Sequence, residues 1–185
     1  MTTKTKIFLA LLIVALAAAS RLVPHPFNFT PIAAIALFSG CYFQKRWSLA
    51  FPLAAMILSD VLLYATKYGW SLFDWKTTLA VYAAVALAFV IGRQLSQHKT
   101  WYFIGGGAVI SSLIFFFITN FAVWAFFSWY PHTLAGLLNC FTMAIPFFRN
   151  SLAGDLTYTA LSFGAYEAVL LAEERKLSFS PGKFN

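Results

Sequence analysis

Apolar residues run through this chain in long blocks separated by short polar breaks. Six blocks stand out, at roughly 7–23, 31–43, 47–66, 77–92, 101–130 and 151–172. A helix that crosses the hydrocarbon core of a bilayer needs about 20 mostly apolar residues, so the third, fifth and sixth blocks are long enough on their own. The second is short: it either gains length from Phe27 to Thr30 or lies inside the bundle, where neighbours cover its ends. The stretch 132–145, between Pro131 and Pro146, predicts an additional short helix that cannot cross the bilayer alone. The blocks are continuous rather than alternating, which spells helices and not barrel strands. The expected fold is therefore all-α, a polytopic membrane protein of six transmembrane helices plus a short helix at about 132–145. It forms a single transmembrane domain over 1–185, without a hydrophilic domain or a convincing internal repeat.

Composition sharpens this. Of the 185 residues, 61% are hydrophobic and 10% are charged, against about 45–50% and about 25% in soluble domains, and mean hydropathy is +0.74. A soluble core of this size cannot bury so much apolar surface. The 21 Phe, eight Tyr and six Trp supply interfacial belts and stacking surfaces. The net charge of +7 does not signal nucleic acid, because the basic residues sit at the ends of apolar blocks and face lipid headgroups there. Two cysteines, Cys41 and Cys140, are too few for a disulfide framework or a cysteine-rich zinc site.

With the N-terminus inside and six crossings, Lys4, Lys6, Lys45, Arg46, Arg93, Lys99, Arg175, Lys176 and Lys183 lie on the cytoplasmic side. Arg21, Lys67, Lys76 and Arg149 lie outside. Nine against four satisfies the positive-inside rule and places both termini in the cytoplasm. Lys4, Lys6, the run Ile7 to Leu16, and Ala17-Ala18-Ala19 before Ser20 also fit a secretory signal peptide, but the segment is taken as the first helix.

Polar side chains inside membrane segments are costly and mark function, and most of them fall in the outer half. Arg21 and His25 lie at the outer end of helix 1. Asn28-Phe29-Thr30-Pro31 reads as a helix start, with Thr30 as N-cap and Pro31 at the first helical position. Asp60 and Tyr64 share a face of helix 3, and Asn120, Trp124 and Ser128 a face of helix 5. Helix 6 carries Asp155, Tyr158, Thr159, Ser162 and Tyr166 along one side, preceded by Arg149 and Asn150. Asp155 is expected in its first turns, where the helix dipole favours an anion. The candidate substrate-binding set is Arg21, His25, Asn28, Asp60, Tyr64, Asn120, Trp124, Asn150, Asp155 and Tyr158. Mutual satisfaction, with Arg21 paired to Asp60 or Asp155, is the plainer alternative. Trp70, Trp75, Trp101, Trp129 and Tyr130 read as interface anchors.

Enzyme signatures are missing. Gly105-Gly106-Gly107 is followed by Ala108-Val109 rather than Lys-Ser/Thr, so it reads as close helix packing and not as a phosphate loop. His25, His98 and His132 lack the spacing of a helical metal pair. No Gly-x-Ser-x-Gly occurs. No cofactor is expected, although an outer Cys140 is a candidate metal ligand. Asp60 and Asp155 as a proton-sharing pair would give an intramembrane aspartyl protease; Gly154-Asp155 matches part of the Gly-x-Gly-Asp motif, but residue 152 is Leu.

Arg21, Pro24-His25-Pro26, Asn28-Phe29-Thr30-Pro31 and Phe38-Ser39-Gly40 form one set of motifs. Leu58-Ser59-Asp60, Thr119-Asn120-Phe121-x-x-Trp124 and the run from Ile145 through Asn150, Gly154 and Asp155 to Tyr158 form another. Together they resemble an uncharacterised bacterial family of small inner-membrane proteins that carries a label of similarity to the rod-shape protein MreD. In architecture that family is similar to the substrate-binding S-components of energy-coupling-factor (ECF) vitamin transporters. The resemblance implies six helices, inside termini, an outward pocket, and borrowed ATPases reached through a coupling protein that docks on an Ala-x-x-x-Ala motif in helix 1. Ala15 and Ala19 have that spacing but lie toward the outer half. Similarity to the cobalamin-binding BtuM proteins would make Cys140 a cobalt ligand if 132–145 folds over the pocket.

The expected function is a membrane-embedded substrate-binding subunit for uptake of a vitamin-like micronutrient, cobalamin among the candidates, without ATPase activity of its own. Its partners would be a small-molecule ligand, membrane lipids and an ECF-type coupling protein with ATPases, and no nucleic acid. Its place would be the bacterial cytoplasmic membrane. The alternative is a non-transporting, MreD-like scaffold in envelope assembly.

Overall fold

The computed structural model describes residues 3–43 and 48–178. Lys45, Arg46, Lys183 and the side chain of Lys176 lie outside the described residues. Among these residues six α-helices follow one another: α1 Thr3–Ser20, α2 Ile32–Tyr42, α3 Ala50–Leu63, α4 Trp75–Leu95, α5 Trp101–Phe126 and α6 Leu134–Ser178. A π-helical turn, Tyr64–Tyr68, prolongs α3, and a 3₁₀ turn, Trp70–Leu72, precedes α4. There is no strand among the described residues. Among the described residues three helical stretches are long and apolar enough to cross a membrane, Ala50–Tyr68, Trp75–Leu95 and Trp101–Phe126, so the fourth block qualifies and the sixth, expected to do so, does not.

Side-chain contacts fix the direction of each helix. One end of the bundle gathers Arg21, Ile32, Asp60 and Thr77 around a cleft. The other gathers Lys6, Phe43, Lys99 and Glu167 around a second one. Successive helices therefore run alternately from the Lys6 end to the Arg21 end and back. Asp74 starts α4 at the Arg21 end by accepting the Thr77 N–H at 2.7 Å, and that hydrogen bond holds its carboxyl below the usual carboxylate range.

The short second block lies inside the bundle. Every residue of α2 from Ile32 to Cys41 is buried. On one side Ile35, Phe38 and Cys41 pack with Ala10, Val14 and Ala17 of α1, Ile104 of α5 and Phe163 of α6. Phe38 meets the Phe163 ring edge-on at 5.2 Å. On the other side Ile32, Ala33 and Ala36 pack with Met56 of α3 and Val85, Ala88 and Phe89 of α4. Between helices in lipid, association rests on close packing of small residues rather than on a hydrophobic gain. Gly40 and Gly92 provide it here. A Cβ on Gly40 would stand 2.1 Å from the Phe89 carbonyl oxygen, and one on Gly92 would stand 2.1 Å from that of Leu37.

Several expectations are corrected. The triple glycine is not a close-packing motif as a whole: a Cβ on Gly107 would stand 2.5 Å from Leu95 Cδ1, but nothing lies within 4 Å of a Cβ on Gly105 or Gly106. The helix at 132–145 is not separate, because α6 runs unbroken from Leu134 to Ser178 with Pro146 inside it. Proline removes one N–H donor, and helices with packed neighbours tolerate that. Here Phe116 of α5 bridges the site, its ring 5.6 Å from Phe141 before the proline and 4.9 Å from Phe148 after it. The fifth block ends its helix at Phe126, so Ser128 does not extend the Asn120 face.

Candidate functional site

Arg21 lies just past α1, its side chain swung into the bundle at 9% exposure. Its Nη2 is 2.6 Å from Asp60 Oδ1, its Nη1 donates to Ser59 Oγ, and Tyr82 Oη donates to Asp60 Oδ2 at 2.9 Å. The pair is largely withdrawn from solvent, at 10% and 19% side-chain exposure, so each charge depends on the other. Arg21 Nε is buried with no hydrogen-bond partner. Of the two pairings open to Arg21 in the sequence, the structure takes Asp60.

This ion pair forms one wall of a cleft of about 260 Å³ that also touches Asn28, Thr30, Tyr64, Thr77 and Ser151. A second cleft, of about 270 Å³, is lined by Phe116, Thr119, Asn120, Phe147 and Phe148. Asn28, Val81, Phe115 and Ser151 line both, so the two adjoin as a polar half and an aromatic half. Asn28 stands between them in the left-handed region, at φ 61°, which Asn tolerates better than other side chains with a Cβ. Asn120 Nδ2 donates to the Phe116 carbonyl at 2.8 Å, which turns its amide along α5.

Three predicted site residues on α6 do something else: they clamp the 27–30 loop and the start of α2. Asn150 Nδ2 donates to the Phe27 carbonyl at 3.1 Å. The Tyr158 ring lies 5.7 Å from that of Phe29, and a Cβ on Gly154, between them, would stand 3.0 Å from Thr30 N. Asp155 is 5% exposed; it accepts Ser112 Oγ–H at 2.6 Å and the backbone N–H groups of Ala33 and Ala34. Two expectations change accordingly. Asp155 is 21 positions into α6, counting from Leu134, so the helix dipole it meets is that of α2. Thr30 is not the cap of α2: the N-cap is Pro31, whose ring carries no hydrogen-bond acceptor, and Asp155 supplies the acceptor from another helix.

The remaining predicted residues lie apart. His25 is half-buried, its Nδ1 2.9 Å from the Pro26 carbonyl. Trp124 Nε1 donates to the Pro131 carbonyl at 3.0 Å and ties down the loop before α6. Cys140 is buried, its Sγ 3.5 Å from the Asn120 carbonyl, and lines neither cleft. Asp60 and Asp155 have separate partner sets rather than a shared proton. No group of three His, Cys, Asp or Glu that could hold a metal occurs among the described residues. The sequence reading therefore brings Arg21, Asn28, Asp60, Tyr64 and Asn120 to the joined clefts. It missed Tyr82, Phe115 and Ser151, which look like ordinary members of apolar or loop-flanking runs. Ser112 was missed as well, although Ser111-Ser112 interrupts the most apolar helix among the described residues and could have marked it.

No curated protein and no solved structure matches the chain. The model of one protein family, a family of unknown function designated DUF6580, matches residues 1–178. A match over nearly the whole length, taking in every described helix and both clefts, means that the chain belongs to the DUF6580 family.

Proposed function

We propose that the chain is a membrane-embedded substrate-binding subunit that takes up a compact vitamin-like micronutrient. It sits in the bacterial cytoplasmic membrane with six crossings, both termini inside, and the Arg21 end facing out. The observation that carries this reading is the joined cleft, in which Arg21, Asp60, Tyr64 and Asn28 stand beside Phe115, Phe116 and Asn120. Apolar walls with a few convergent polar groups are the usual make-up of a small-molecule site. Aromatic faces would stack on a ring, and the Asn amides and Tyr64 would fix its polar substituents. Each half holds about 260–270 Å³, just below the range of about 300–1,000 Å³ found for ligand pockets. That favours a one- or two-ring vitamin over cobalamin, as does the absence of Cys140 from the lining. Ala15 and Ala19 lie with Ala54, Ala55 and Leu58 in an apolar groove of about 300 Å³ between α1 and α3, which supports docking of a membrane-embedded coupling partner there.

Thermal unfolding of the purified protein against a panel of thiamine, riboflavin, biotin and pyridoxal tests the proposal. One of them should raise the midpoint of the wild type, and Asn120→Leu and Tyr64→Ala should remove the rise while folding normally. Equal shifts in all three proteins would place binding elsewhere.

A further inference from the structure

Ser151, Asp155, Thr159, Ser162 and Tyr166 follow one another on α6 at steps of four, four, three and four residues, so they form a single row on one face of the helix. At its upper end Ser151 lines both halves of the cleft at Arg21. At its lower end Tyr166 lines the cleft at the opposite end of the bundle, about 480 Å³ in volume, together with Lys6, Tyr42, Lys99 and Glu167. The row thus joins the two clefts through the interior. Asp155, Thr159, Ser162 and Tyr166 are all buried, at 3–6% exposure.

Two features of the row go beyond helix packing. Thr159 Oγ1 is buried with no hydrogen-bond partner among the described residues, a hydroxyl left with its bonding capacity unused. Asp155 is a deeply buried carboxyl that faces the Ser112 hydroxyl from α5 and the Ala33 and Ala34 N–H groups from α2, and among the described residues no cation or other ionisable group acts on it. Along α6 its neighbours in the row are the hydroxyls of Ser151 and Thr159. Capping α2 requires only a hydrogen-bond acceptor, which Asn provides as well. A carboxyl in such a place, at the head of a row of hydroxyls, has the make-up of a proton relay.

We propose that this row is a proton path between the two clefts. A proton from water in the Arg21-end cleft binds the Asp155 carboxylate and makes it the neutral acid. The acid then gives a proton to the water–hydroxyl chain at Thr159 and Ser162. Each member of the chain accepts one proton as it donates another, and Asp155 is left ionised. Glu167, which accepts the Tyr42 O–H, takes the proton that emerges and releases it to water between Lys6 and Lys99. Nothing is oxidised, and one proton crosses per cycle. The steps along the helix are about 4.5–6 Å, longer than a hydrogen bond of about 3 Å, so each gap takes one bridging water. The path goes beyond the solute-binding reading and does not rest on it. Where a solute is bound as well, proton movement supplies the driving force otherwise sought in a partner ATPase.

The test uses protons alone. The full chain is reconstituted in liposomes enclosing the dye pyranine, and a potassium diffusion potential set with valinomycin drives protons inward. Wild type should acidify the lumen at least tenfold faster than protein-free vesicles. Asp155→Asn, which keeps an acceptor for the α2 N–H groups, should fall to the protein-free rate, and Asp155→Glu should recover part of the flux. Thr159→Val, of equal volume, should slow it at least fivefold with an unchanged unfolding midpoint, and this variant decides the matter if Asp155→Asn does not fold. The proposal is overturned if wild type conducts no faster than empty vesicles, or if Thr159→Val and a folded Asp155→Asn conduct like wild type. Vitamin binding is read separately, so its failure and the failure of the proton path are distinguishable.

Discussion

Gly92→Ala should destabilise the protein by about 3 kcal/mol or more, at the upper end of what overpacking costs. The new methyl would stand 2.1 Å from the Leu37 carbonyl oxygen and 2.8 Å from its carbonyl carbon. These are backbone atoms of a helix buried along nearly its whole length, so no side chain can rotate away and α2 must separate from α4. Gly40→Ala meets the Phe89 carbonyl oxygen at the same 2.1 Å and should behave alike. Gly105→Ala and Gly106→Ala have open space at the new methyl and should be neutral or stabilising by about 0.5–1 kcal/mol, the ordinary gain from replacing glycine inside a helix. Thermal unfolding in mild detergent compares the four. If Gly92→Ala matched Gly105→Ala, the α2–α4 crossing described above would be wrong.

Arg21→Met should cost about 3–5 kcal/mol, because it strands the Asp60 carboxylate in a site that excludes most solvent. The cost comes from the charge left behind more than from the attraction lost. Arg21→Met combined with Asp60→Leu should therefore recover more than half of the stability lost by Arg21→Met alone, although it removes one more polar group. Ser59 and Tyr82 remain to hydrogen-bond each other or water at the vacated site. A double variant no more stable than the single one would mean that the guanidinium does more for the fold than balance Asp60.

The helices were legible because long apolar blocks leave the backbone no other way to satisfy its hydrogen bonds in lipid. The burial of α2 could be anticipated from its length: a block of 11 helical residues is too short to cross a bilayer unaided, and it carries no charge that would hold it at a surface. The continuity of α6 was not legible. Proline reads as a break in sequence, and the Phe116 ring that bridges it lies 25 positions earlier than Phe141.

The candidate site was legible in part, for a physical reason. Polar residues at one end of a bundle are visible in sequence, but their division between ligand contact and internal support depends on which way each helix face turns. Asn28, Asp60, Tyr64 and Asn120 line the joined clefts, whereas Asn150 and Tyr158, equally polar, face the 27–30 loop and Asp155 faces Ser112 and the start of α2. Gly154, whose place against Thr30 brings α6 close to that loop, explains why. A glycine beside Asp155 reads as motif resemblance in sequence and as a point of close approach in the fold.

The most direct test of the central claim, that the joined cleft holds a compact vitamin, is native mass spectrometry of the detergent-released protein after equilibration with the same vitamin panel. Wild type should carry one molecule per chain. Ser151→Trp should carry none while unfolding at the wild-type midpoint, because its indole fills the wall common to both halves. A wild type that holds nothing from the panel, or a Ser151→Trp variant that holds as much as wild type, would contradict the account.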